Sequence, residues 1–465
     1  MKNEQFFKAL CRLAEQVLPL IQEKVSTAYY LSRLKDYPEI AYKDSPFPEI
    51  STYSEKPDIA NFFNKGYNGR KPDIDLSDYS DFNQMMAELM AIPEFVSYNS
   101  IPDEEDQAIL KMKSEFFIRD AITAYYYRFG TILEIAKLKE IYEPLENYIF
   151  AKDLIFDIAI PILFVTFEAE QFNINDNIYL RRISDETHKA KHHLRSYSPP
   201  VADALIRSAS HELVLKNYTV KKPDNFFTFS IFGESQVYPN QLFQKFFIAL
   251  KVATDHTSGY AQVVVHPHDW ASDYHIDLMP LKGTSVKHYP SYFDDFYWTN
   301  KSFAHINDDE LQTISDLFNK ILTNKENKLE IALRRFYKSM MRQEDEDIII
   351  DLVIALEILL SDNEKSEITY KLALRITTLL SKFQSGADET GTIFNNVKKI
   401  YEYRSAVAHG SHKAGQKREI KLPDETTVKA VLLAKEYLRE ILKIILDQPQ
   451  YLSSKEIDLL ILKGE

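Results

Sequence analysis

The segment Asp345–Leu360, DEDIIIDLVIALEILL, leaves the C-terminal part of this chain little freedom. Its apolar residues run almost all the way round a helix instead of along one stripe, so it predicts a helix buried on most sides. The acidic run Glu344-Asp345-Glu346-Asp347 stands at its start, where the positive end of the helix dipole favours carboxylates. A buried helix needs neighbours, and the sequence supplies them. Residues 366–383 place Ile368, Leu372, Ile376, Leu379 and Leu380 on one stripe behind Ser366, a suitable N-cap. A third helix is predicted over about 392–408, with Gly410 placed to end it. A fourth, over 425–446, follows Pro423 and carries Val428, Val431, Leu432, Tyr437, Ile441 and Ile444. Short connections between four such helices predict an antiparallel bundle.

Chemistry enters where the third helix ends, at YEYRSAVAHG, residues 401–410. Arg404 offers a planar fork of donors suited to a phosphate, and His409 can move protons near neutral pH. Together they suffice to cut RNA without a metal. The spacing alone selects little. With 16 arginines and 12 histidines in the chain, chance supplies about one Arg-x(4 to 6)-His match. A second match exists, Arg182 (or Arg181) with His188, which closes a strand-like run and has no helix end to present it. Positions five apart on an ideal helix lie about 140° apart. Arg404 and His409 therefore converge only if His409 lies in the frayed last turn, or if a second copy supplies the missing partner.

Local charge points the same way. Between residues 398 and 418 stand Lys398, Lys399, Arg404, Lys413, Lys417 and Arg418, against one acid, Glu402, in a chain of net charge −13. A cationic island on an acidic protein is the footprint expected for contact with a phosphate backbone. A solvated helix-end loop rich in lysine is the bland alternative. Glu357 and Arg375 are single charges on otherwise apolar helices and read as a buried interhelical ion pair.

From about 333 to 446 the chain resembles an Apea-like HEPN domain, the prokaryotic branch of the HEPN helical-bundle ribonucleases. The resemblance rests on Arg334-Arg335-Phe336-Tyr337, on 355–360 (ALEILL), on Leu372-Ala373-Leu374-Arg375 and on 401–410. It covers roughly a quarter of the chain, with weaker similarity over 227–267. The family's Arg-x(4 to 6)-His motif falls on Arg404 and His409. Ser405 stands where many members carry asparagine or aspartate, so the resemblance leaves both a cutting and a noncutting domain open. It implies a homodimer through the C-terminal bundle whose two arginines and two histidines line one cleft. His409 would take the proton of a ribose 2′-hydroxyl or give one to the leaving 5′-oxygen. Arg404 would hold the scissile phosphate, with Ser405 adding a hydrogen bond and Glu357 and Arg375 in support. The implied function is metal-independent RNA endonuclease, leaving 2′,3′-cyclic phosphate ends, with tRNA as one implied substrate. The implied setting is antiviral defence: a toxin-type effector awaiting a trigger such as a phage component. The alternative is a noncatalytic HEPN-like module that dimerises and docks RNA or protein. A dangerous nuclease also predicts restraint by its N-terminal region.

Length and composition set outer bounds. A chain of 465 residues predicts two or three domains. The single cysteine, Cys11, excludes a disulfide framework and a cysteine zinc site. No 18-residue uncharged apolar run exists, so no membrane association is expected. Residues 6–21 read as an amphipathic helix interrupted by charges and not as a signal peptide, which predicts a cytoplasmic protein. Neither GxxxxGK[ST] nor GxGxxG is present, so no nucleotide cofactor is expected. Two histidine groups, His188, His192 and His193 with Glu186, and His266 and His268 with Asp269 and His275, lack a confirming ligand pattern; no metal is assigned.

The N-terminal two-thirds reads as three stretches. Residues 1–35 are helical, 36–82 an irregular excursion rich in Pro, Asp, Tyr and Asn, and 82–141 helical again. From 154 the texture changes: 158–167, 177–183, 226–232 and 261–266 resemble strands, with a helix over 241–254. The aromatic run 289–298 reads as surface or interdomain packing, with base stacking the sharper option. The predicted class is therefore mainly α with an α+β N-terminal region. Its divisions are 1–150 (helical, with the 36–82 insertion), 151–305 (a mixed sensor or regulatory domain) and 306–465 (a HEPN-like helical bundle).

Overall fold

The computed structural model describes residues 1–64, 71–99, 106–194, 201–223, 231–296, 303–362, 367–384 and 389–463. The fold is mainly α, with eighteen α-helices and four sheets among the described residues. The chain forms two compact units. One comprises 1–161, 171–238 and 261–287; the other comprises 162–170, 239–260 and 288–465. No described helix is long and apolar enough to cross a membrane.

In the first unit, helix Glu4–Thr27 buries Phe6, Leu10, Leu13, Val17 and Ile21 on one face. The spacing is that of a single helical stripe. Asn3 caps it by accepting from the Phe6 N–H at 3.0 Å. Helices Ser80–Ala91, Asp106–Phe129 and Ile135–Phe150 complete this core. A six-stranded sheet follows, in the order Gln171–Asn175, Ile178–Arg182, Ala209–Lys221, Asp153–Leu163, Tyr260–Pro267, Lys282–His288. Its antiparallel registers include Leu180 with Leu213 and Ile158 with Val265.

Several sequence expectations change here. Residues 36–82, expected to be irregular, contain most of an antiparallel pair, Arg33–Ala41 with Glu49–Pro57. Most of its residues are exposed or half-buried, so no apolar alternation announced it. The expected strand 158–167 is instead two strands broken at Phe164, whose φ is +56°. Of the expected strand 226–232, residues 226–230 lie outside those described, and Ile231–Gly233 is a 3₁₀ turn.

In the second unit, helix Asn240–Thr254 packs on Asp308–Thr323, which starts in a capping box of Asn307 and Glu310. Helix Asn327–Met341 packs on Asp345–Leu360, and Ile368–Phe383 on Thr390–Ala408. Helix Ala430–Asp447 touches Asp345–Leu360, Ile368–Phe383 and Thr390–Ala408. Asp345–Leu360 buries ten of its sixteen residues, as its composition demands. Asp351, only 1% exposed, accepts from Arg335 at 2.8 Å and Arg342 at 2.7 Å. The final long helix starts at Ala430 and not near 425, because Thr427–Lys429 pairs with Glu419–Lys421 as a small hairpin. Glu425, at φ +69°, makes its turn. Ser366, the expected N-cap, lies outside the described residues; helix Ile368–Phe383 follows Glu367.

The expected Glu357–Arg375 ion pair is not formed. Arg375, 3% exposed, donates to both Asp458 oxygens, to Asp362 and to the Leu360 carbonyl, each at 2.8 Å. It ties the C-terminal helix Ser454–Lys463 to the bundle. Glu357 faces a different helix, Thr390–Ala408, and a different arginine.

Candidate functional site

Helix Thr390–Ala408 owes its end to glycine. Gly410 has φ +61°, a conformation that costs an L side chain strain and glycine little. The Gly410 N–H donates to the Val407 carbonyl at 3.0 Å, and the Ser411 N–H to Ala406 at 2.9 Å. These are the two bonds of a Schellman cap. His409 is the C-cap residue, at φ −95° and ψ 5°, and its N–H returns to the Ser405 carbonyl at 3.1 Å. The cap therefore fixes the backbone of His409 at the helix tip.

The two motif side chains fare differently. His409 is exposed, and its imidazole makes no hydrogen bond or ion pair among the described residues. Arg404 is half-buried and turned toward the helix Asp345–Leu360. Its Nη2 lies 3.5 Å from Glu357 Oε2, and its guanidinium carbon 5.5 Å from the Tyr401 ring centre. The buried Nε has no hydrogen-bond partner among the described residues. Burial and then the neighbouring Glu357 carboxylate push the Tyr401 hydroxyl pKa up, against the opposing pull of Arg404. Ser405 is half-buried and makes no side-chain hydrogen bond among the described residues. No hydrogen bond or ion pair joins Arg404 to His409.

The basic island divides in two. Arg418 Nε donates to Asp345 at 2.6 Å, and Lys429 reaches the same carboxylate at 3.1 Å. Burial works to raise the Asp345 carboxyl, yet these hydrogen bonds outweigh it and hold its pKa below the usual range. Lys417 lies 3.2 Å from Glu402, and Lys399 donates to the Lys421 carbonyl at 3.2 Å. Lys398 sits 5.7 Å from the Phe394 ring centre. Lys413 is exposed and its ammonium is unengaged among the described residues. Among the described residues, Lys413, His409 and the exposed His412 are thus exposed polar groups at this helix end whose side chains have no partner. His412 carried no spacing signal in the sequence, and neither did Tyr401.

The competing motif match does not make a surface site. Arg182 ends a strand, whereas His188 is 1% exposed inside helix Asp185–His193. Burial drives the His188 pKa down to about 2 and keeps its ring neutral. Among the described residues no group of three or more His, Cys, Asp or Glu side chains is arranged to hold a metal ion. His193 and His275 stack on each other at 3.7 Å. Of the aromatic run, Tyr289 and Phe293 are buried, and Phe293 packs edge-on against Phe164 at 4.9 Å; Tyr297 and Trp298 lie outside the described residues.

Compared with known proteins, the chain matches no family model, no curated protein and no solved structure.

Proposed function

We propose that the chain is a metal-independent endoribonuclease of the HEPN type, acting as a homodimer that joins two Arg404–His409 pairs in one cleft. The observation that carries this reading is the helix tip: His409 exposed and unengaged on a rigid cap, one turn beyond an arginine with an unused donor. A second copy of the same tip would supply what one chain lacks. His409 then accepts the 2′-hydroxyl proton as that oxygen attacks phosphorus, and the leaving 5′-oxygen is protonated by the second histidine. Arg404 neutralises the charge that builds on the phosphate. The products are a 2′,3′-cyclic phosphate and a 5′-hydroxyl, and DNA, lacking the attacking group, is inert. We place the enzyme in the cytoplasm as a defence effector restrained by its N-terminal region, with tRNA among its candidate substrates.

The test is incubation of the purified chain with total RNA in EDTA, followed by analysis of the new ends. Cyclic-phosphate ends that vanish in Arg404→Ala and His409→Ala support the enzyme; intact RNA, or equal cleavage by both variants, overturns it. One observation favours a second reading, a noncatalytic RNA- or protein-binding module: Glu357 already neutralises Arg404 within the single chain. RNA retained but uncut by the parent chain is the outcome that reading expects.

A further inference from the structure

The second unit holds a cluster of cations that the ribonuclease reading does not use. Helix Asn240–Thr254 ends at Asp255, whose φ is +61° and whose N–H returns to the Lys251 carbonyl at 3.0 Å. Lys251 is buried, and its ammonium donates to the Asp255 carbonyl and to the Asp255 carboxylate, the latter at 2.6 Å. From helix Ala430–Asp447, Arg439 Nη1 reaches the same carboxylate oxygen at 3.3 Å. Its Nη2 lies 3.3 Å from Glu440, which also takes a bond from Lys443 at 2.9 Å. The Arg439 Nε is buried without a hydrogen-bond partner among the described residues. Lys435 stands one turn before Arg439 on the same helix, and residues at that spacing share a face with Cβ atoms about 5–6 Å apart. Lys435 is half-buried, and its ammonium makes no hydrogen bond or ion pair among the described residues.

One carboxylate thus answers three cations. Burial works to raise the Asp255 carboxyl, yet the Lys251 hydrogen bond and the charges of Lys251, Arg439 and Lys435 hold its pKa below the usual range. Burial drives the Lys251 pKa down to about 8; Asp255 opposes that shift, and Lys435 and Arg439 add to it. Burial also lowers the Lys435 pKa, against the pull of Asp255 and Asp345. Asp345 is already held by Arg418 and Lys429, at 2.6 and 3.1 Å. Like charges gathered in a partly buried seam destabilise the fold unless an anion joins them. Asp255 is 59% exposed, so the seam is open to solvent at that end.

We infer that this seam binds a phosphate group, whose oxygens accept from Lys435 and Arg439 while Lys251 adds its charge. The cations come from two helices and gather on a single carboxylate oxygen and one helical turn. That arrangement suits a tetrahedral oxyanion, with oxygens on several sides, better than the two coplanar oxygens of a carboxylate. An amine or an amino acid brings a further positive charge to a place that already has three. A neutral apolar ligand leaves the Lys435 ammonium unfilled. The phosphate is supplied either free in solution or by the backbone of RNA. The RNA source rests on the ribonuclease reading, and the free source does not.

The experiment follows the full chain by calorimetry and thermal shift with inorganic phosphate at constant ionic strength, with acetate as the control. Phosphate at millimolar concentration is expected to bind and raise Tm, and acetate is not. Lys435→Met removes no bond seen among the described residues, so its ligand-free Tm should lie at or above the parent's. Its phosphate affinity should fall about tenfold, the effect of one lost hydrogen bond to a charged group. A lysine with only a structural role would leave the phosphate response intact. Arg404→Ala should keep the response, which separates this seam from the proposed cleavage cleft. RNA binding by the His409→Ala chain distinguishes the two sources. Adding Lys435→Met there weakens binding and lowers the salt slope by about one if the group is a backbone phosphate; RNA affinity is unchanged if it is free phosphate. The inference is overturned by a response that survives Lys435→Met, one that is lost in Arg404→Ala, or one that acetate equals. It is overturned equally by no phosphate response in the parent together with unchanged RNA affinity.

Discussion

Arg404 Nη2 lies 3.5 Å from Glu357 Oε2 across two packed helices, so the arginine of the motif has a built-in counter-ion. A quarter of the Arg404 side chain is exposed, and such a pair contributes about 0–1 kcal/mol to stability. Its consequence lies in binding. In a His409→Ala background, Glu357→Gln should leave Tm nearly unchanged and tighten RNA binding about three- to tenfold at low salt, the effect of freeing one cationic contact. Filter binding of a short RNA checks this, and unchanged affinity would remove Arg404 from the RNA contact.

Gly410 gives a backbone prediction. A Cβ at this position meets nothing within 4 Å, so Gly410→Ala is opposed only by its φ of +61°. The expected loss is about 1–2 kcal/mol, with reduced cleavage because the cap that holds His409 frays. Gly415→Ala is the control: its Cβ also meets nothing, and its φ is not in the left-handed region. Denaturation midpoints of the two variants should differ clearly, and equal midpoints would contradict the Schellman assignment.

Arg375 holds three acceptors with almost no exposure. Removing one partner of a buried pair typically costs about 3–5 kcal/mol. Because Asp458 is 46% exposed, Arg375→Met should cost about 2–3 kcal/mol, at or just below the lower end of that range. Limited proteolysis should then cut near the helix Ser454–Lys463 first. A variant as stable and protease-resistant as the parent would refute this role.

A pH effect comes from Lys191, which is fully buried on helix Asp185–His193 and donates to the Ile206 carbonyl. Burial, opposed by the Glu212 carboxylate, lowers its pKa from 10.5 to about 7. The unfolded chain keeps that proton up to about pH 10.5 while the folded chain releases it from about 7, so between these values the unfolded state binds more protons. This group's contribution to stability therefore rises with pH across the window. Lys191→Met should be more stable than the parent near neutral pH, with the gap closing toward alkaline pH. Urea midpoints at several pH values read this directly, and a constant gap would contradict it.

The helices of the second unit were legible because their signals are local. The apolar excess of Asp345–Leu360 and the glycine after His409 both act within a few residues. The sheet was harder. In strand Ala209–Lys221 the first seven residues are all buried, His211 and Glu212 among them, so the period-two alternation is missing where it was needed. Ion-pair partners were illegible for a different reason. Asp345 lies 73 residues from Arg418, and Asp458 lies 83 from Arg375. Only the folded chain decides which carboxylate a cation meets. The basic count over 398–418 was right as composition, but it overstated the free charge.

The account stands or falls on whether two copies bring their helix tips together. Cys11 is the only cysteine, so Cys11→Ser with His409→Cys places one thiol per chain at the tip. Treated with a short bis-maleimide at micromolar concentration, this variant should convert largely to covalent dimer, with Lys2→Cys in the same background as the unlinked control. A chain that sediments as a dimer yet does not cross-link through residue 409, or that stays monomeric, would contradict a shared Arg404–His409 cleft.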